Sequence, residues 1–174
     1  EISGATGFSG ETVTVVAADD PIADGVAATY TGENGSTRYT TTERGVVAEH
    51  SDGSPVVLHR MHSLNPGHAV LIGHDFYESN ADQDRLVGNA VLQLANTNDD
   101  IEILAFDQYA DTSATGEVAN TNAGIASRAG ELGVSYSLTT VSDSTMLGSM
   151  LFDHDVFLVY EQESSDTATL QALG

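Results

Sequence analysis

Residues 67–96, GHAVLIGHDFYESNADQDRLVGNAVLQLAN, constrain this chain more than any other stretch. An unbroken apolar run at residues 69–72 enters a Gly73-His74-Asp75 turn, and the turn leads into a segment with helical spacing. A strand that is apolar on both faces is normally buried between two layers. A polar turn at the carboxyl end of such a strand is where open α/β sheets place ligands. Ser79 or Asn80 is the expected N-cap, with Asp82 and Asp84 in the first turn, where carboxylates complement the helix dipole. Leu86, Val87, Ala90, Val91 and Leu94 then share one face of a helix over residues 80–95. The expected fold class is therefore α/β.

On the amino side of this unit the pattern is mostly β. Thr12-Val13-Thr14-Val15-Val16 alternates as a strand, Asp19-Asp20-Pro21 breaks it, and residues 22–26 read as one short turn. Glu33-Asn34-Gly35-Ser36 predicts a hairpin between residues 28–30 and 37–40, because Asn-Gly supplies the positive φ angles of a two-residue turn. Strands follow at residues 45–49 and 55–60, joined by a tight turn at Ser51-Asp52-Gly53, and residues 63–67 turn the chain into residues 68–72. On the carboxyl side strands and helices alternate. Residues 101–106, 134–141 and 156–160 predict strands, the last of them buried, and residues 116–132 predict a helix closed by Gly133. Ser142 is expected to cap a helix over residues 143–152, and Ser165 or Asp166 a final one. Asn96-Thr97-Asn98-Asp99-Asp100 is the expected linker, and alternation of this kind argues for parallel strands with right-handed crossovers.

With 174 residues, 40% of them apolar, the chain is long enough for about one domain with a real core. Charge narrows the partners. Against 26 acidic residues stand 5 basic ones, Arg38, Arg44, Arg60, Arg85 and Arg128, so the formal net charge is −21. Such a surface repels nucleic acid and anionic membranes, and suits high salt or divalent cations that screen its self-repulsion. No apolar run approaches the roughly 18 residues of a membrane span, so no membrane insertion is expected.

The patterns IEILAFDQY, VSYSLTTV and DVFLVYEQE, each followed by a helix, resemble the first half of the class I glutamine amidotransferase-like fold, in particular ThuA-like domains. DDPIADGV, SPVVLHR and GHAVLIGHDFYESNADQDRLVGNAVLQL resemble its second half. The halves stand in reverse order, a C-terminal-type half at residues 1–96 and an N-terminal-type half at residues 97–174. This resemblance implies a flavodoxin-like parallel sheet flanked by helices, with a β-hairpin-rich insertion from residues 28–60. It also implies that a helix–strand–turn segment of roughly 35–45 residues is missing after residue 174. One permuted domain, a fragment cut across tandem modules, and half-domains completed by neighbouring copies all fit, and Glu1 in place of methionine suggests a piece of a longer precursor. The last two explanations leave strand edges open, so association with identical copies is expected, as a homo-oligomer or filament, outside the cell or on its surface.

An amidotransferase-type hydrolase needs a cysteine nucleophile, and the chain has none; no G-x-S-x-G replaces it. A serine in Glu161-Gln162-Glu163-Ser164-Ser165 with His74 as base is the remaining hydrolytic arrangement, against Ser165 as a helix cap. His59-x-x-His62 with His68 suggests zinc, but residues three apart on a strand point to opposite faces. The carboxylates are better placed. Asp75, Asp107, Glu161 and Glu163 follow strands at their carboxyl ends, where they would line one crevice with His74 and Gln108 and offer calcium its oxygen ligands. The loop Asp107-Gln108-Tyr109-Ala110-Asp111-Thr112 suits a polar ligand such as a sugar, or is an ordinary βα loop. The expected function is a non-catalytic structural or self-association module with no cofactor beyond calcium. A small-molecule or carbohydrate binding domain is the first alternative, and a hydrolase using His74 and nearby carboxylates the second.

Overall fold

A computed structural model of the chain describes residues 1–61, 67–95 and 100–163. Among these residues the fold is mixed α/β, with three sheets and three α-helices. Five strands, β2 (Glu11–Val15), β3 (Thr29–Gly32), β5 (Val46–His50), β6 (Pro55–Met61) and β7 (His68–Ile72), form an antiparallel sheet in the order β3-β2-β5-β6-β7. β1 (Ile2–Gly7) and β4 (Thr37–Thr41) pair antiparallel beside it. β8 (Ile101–Phe106), β9 (Tyr136–Val141) and β10 (Val156–Val159) form a parallel sheet in the order β10-β8-β9. The three helices are α1 (Ala81–Leu92), α2 (Glu117–Leu132) and the single turn α3 (Leu147–Met150).

Parallel pairing is thus confined to the second half of the chain. β7, the strand of the opening motif, is an edge strand paired antiparallel to β6. The short connection from Met61 to His68 accounts for this, since a parallel partner would need a crossover of a dozen residues or more. The Asn34-Gly35 turn is present, with Gly35 at φ 87° and the Ser36 amide donating to the Glu33 carbonyl at 3.1 Å. Its flanking strands do not form the expected hairpin. β3 pairs with β2 and β4 with β1, because Thr37 leaves the turn by donating to the Gly73 carbonyl at 2.5 Å. The expected helix at 143–152 is broken into α3 between two 3-10 turns, Ser144–Met146 and Leu151–Asp153. Asp143, not Ser142, caps it by accepting from the Thr145 amide at 2.9 Å. β10 is only half-buried, with Phe157 and Val159 exposed. The expected turn at residues 63–67, the linker at 96–100 and the helix after residue 163 fall largely or wholly outside the described residues.

α1 holds the two halves together. Its start is fixed by a capping box in which the Asn80 side chain accepts from Asp82 and Gln83 amides while the Gln83 side chain accepts from the Asn80 amide. Leu86 packs with Val13, Val47, Val56 and Val57 under the five-stranded sheet. Val87, Val91 and Leu92 turn the other way, onto Ile101 and Ile103 of β8 and Ile125 and Ala129 of α2. The helices approach so closely that a Cβ at Gly88 would run into the Arg128 side chain. α2 ends in Gly133 in the left-handed conformation, φ 68°.

Arg128 is 7% exposed and lies at this junction. Its guanidinium donates to Asn89 at 2.7 Å, to Glu131 at 2.8 Å and to Asp24 at 2.6 Å. Asn89 in turn donates to the Ile22 and Asp24 carbonyls. The loop before β3, α1 and α2 are therefore joined by one satisfied polar network.

Candidate functional site: a cleft between two strand edges

Among the described residues β7 and β10 each end their sheet, and between them lies a cavity of about 760 Å³. Residues 70–76 line one wall and residues 155–161 the other, without gaps in either run. As edge strands among the described residues, β7 and β10 each present ladder groups without a strand partner, while the Gly73 amide and carbonyl beyond β7 are taken by Val56 and Thr37. Val87, Ala90 and Val91 of α1, with Leu94 just beyond its end, form an apolar floor. The cleft therefore combines a greasy base with hydrogen-bonding sides.

Three carboxylates converge at one end of it. Asp75 follows β7, Glu161 follows β10, and Glu117 is the first residue of α2, after the N-cap Gly116. Each offers an oxygen within 4.8 Å of the others. Asp75 is held in place: its Oδ1 accepts from the Tyr77 amide at 2.8 Å, and Gly35 packs so tightly on its Oδ2 that a Cβ there would overlap it. Glu117 is 2% exposed, and neither of its carboxylate oxygens has a hydrogen-bond partner among the described residues. Burial, the Glu163 carboxyl beside it, and the charges of Glu161 and Asp75 push Glu117 up to about 8. Glu161 is also raised, first by burial and then by the charges of Asp75 and Glu163. The positive end of the α2 dipole favours a carboxylate at this position but supplies no direct partner.

Of the six crevice residues expected from the sequence, Asp75 and Glu161 meet in this cluster, and His74 and Glu163 adjoin it. Asp107 and Gln108 turn away. The Ser142 hydroxyl donates to Asp107 at 2.6 Å, and Gln108 accepts from the Ser144 amide at 3.1 Å, both in the loop after β9. Glu117 escaped notice because a carboxylate at a helix start normally only complements the dipole. Gly116 immediately before it was the available signal, since glycine at the N-cap leaves that helix end without a side-chain cap.

His74 is 5% exposed, and both ring nitrogens are engaged, with the Tyr30 hydroxyl at 2.8 Å and the Ser36 hydroxyl at 3.0 Å. Burial drives its pKa down to about 3, which keeps the ring neutral. Ser36 is itself fully buried, so this serine–histidine pair points into the protein and acts as a strut behind Asp75. Elsewhere, His59 lies between Asp20 at 2.7 Å and His68 at 2.8 Å, and His62 is outside the described residues. No family model, no curated protein and no solved structure matches the chain.

Proposed function

We propose that the chain is a non-catalytic assembly module that takes up an extended segment of a second copy between β7 and β10. The observation that carries this reading is the pair of strand edges facing each other across an apolar floor. Open edges are templates for another strand, and a segment lying there would satisfy both ladders and cover Val87, Ala90, Val91 and Leu94. It would also join the three- and five-stranded sheets into one mixed sheet, parallel on the β10 side and antiparallel on the β7 side. The segment is apolar toward α1 and carries no acidic side chain where it passes Asp75, Glu117 and Glu161, because like charges there would repel it. The acidic surface fits an extracellular or cell-surface setting rich in salt, where screening lets copies approach.

Light scattering after size exclusion, at rising protein concentration in high salt, tests this. Association is expected in the wild type and its loss in Ala90→Trp, which fills the floor. A monomer under all these conditions refutes the reading.

A small-molecule binding domain is the second reading. It is favoured by the cavity volume, about 760 Å³, which falls in the usual range for ligand pockets. A specific ligand would then raise the unfolding temperature without changing the oligomeric state.

A further inference from the structure

We infer that the carboxylate end of the cleft is a calcium site formed by Asp75, Glu117 and Glu161. Strand uptake does not require it, and it does not require strand uptake.

A cluster of acids on so acidic a protein is unremarkable when the acids point into solvent. Here Glu117 does not. It is 2% exposed, it faces the other two carboxylates, and both of its oxygens lack a partner among the described residues. A buried carboxylate is ordinarily paired or bound to a metal, because leaving it bare forfeits its hydration with nothing in return. Arg128 lies elsewhere on α2 and is committed to Asn89, Glu131 and Asp24, so it does not reach back to neutralise Glu117.

The donors identify the class of cation. All three are carboxylate oxygens, and His74, which directly precedes Asp75, has both ring nitrogens engaged. An all-oxygen set selects hard cations over zinc or copper. The oxygens lie within 4.8 Å of one another, close enough to share one ion, and calcium takes six to eight oxygens in flexible geometry whereas magnesium demands a near-ideal octahedron and gives up its water reluctantly. Three carboxylates leave calcium several coordination positions, which water from the open cleft can fill. Asp75 is already fixed by the Tyr77 amide and the close approach of Gly35, so one ligand needs little ordering when the ion binds.

The test is isothermal titration of the chelator-treated full chain with calcium chloride, at constant ionic strength so that general screening of the surface charge does not change. One saturable site is expected. Glu117→Gln and Glu161→Gln are each expected to weaken it by about tenfold or more. Asp107→Asn, at a carboxylate that takes the Ser142 hydroxyl instead, leaves it unchanged. Urea midpoints of the variants show that they fold, and Glu161→Gln, at an exposed residue, serves alone if Glu117→Gln does not. No saturable heat, unaltered affinity in both glutamine variants, or tighter binding of magnesium than of calcium overturns the assignment.

Discussion

Arg128 and Glu117 are both almost wholly buried, both belong to α2, and their surroundings are opposite. The guanidinium meets Asn89, Asp24 and Glu131. The carboxylate meets those of Asp75, Glu161 and Glu163, and neither of its oxygens has a hydrogen-bond partner among the described residues. A buried charge with all its partners is part of the scaffold; a buried charge without any stores free energy that a ligand can release. One helix thus carries a strut near one end and an open valence at the other.

Removing the strut should have the largest effect. Arg128→Ala strands Asn89, Asp24 and Glu131 around an empty site and is expected to cost about 3–5 kcal/mol in urea denaturation. Glu117→Gln should move the other way. Relief of like-charge repulsion is expected to stabilise the calcium-free chain by about 1–2 kcal/mol near pH 8, and a loss of stability would show that the Glu117 carboxylate is not under strain.

The same contrast sets a pH dependence. Glu117 binds its proton more tightly folded than unfolded, so its contribution is fully present below about 4.5 and is lost as pH rises through about 8. The gain from Glu117→Gln should shrink accordingly as pH falls through that window. His74 behaves in reverse: its folded value is depressed, so its contribution is present above about 6.5 and is lost as pH falls toward about 3. Urea midpoints of wild type and Glu117→Gln between pH 3 and pH 9 separate the two. The smallest effect is expected at a site outside the comparison. Asn80→Ala removes the α1 cap at a cost of about 1 kcal/mol and should leave the difference between wild type and Glu117→Gln unaltered.

What the sequence made legible was whatever local chemistry decides. The order strand, turn, helix at residues 68–92, the Asn80 cap, the Gly133 stop and the 51–53 turn are written in neighbouring residues, and the structure has them, although β7 is a half-exposed edge strand and not the buried one expected. Pairing is decided at a distance. The Asn34-Gly35 turn was readable, but nothing near it says that β4 will choose β1, a Gly/Ser/Thr-rich strand with little apolar signal of its own. Likewise Asp75 and Glu161 follow from the rule that loops after strands converge. Glu117 and the outward turn of Asp107 depend on how α2 and the loop after β9 dock, which no local pattern records.

The Arg128 network also bears on how the chain reaches this structure. Its bond to Asp24 spans 104 positions, and its bond to Asn89 spans 39. Contacts of such separation are costly in loop entropy and tend to slow folding. While the chain is being made, the 1–96 half emerges with the Asn89 and Asp24 acceptors but without the Arg128 guanidinium that donates to them. Only when α2 has formed can Arg128 close the circuit. Its docking is then a late checkpoint, one that admits the second half only if the loop at residue 24 and the face of α1 are already in place.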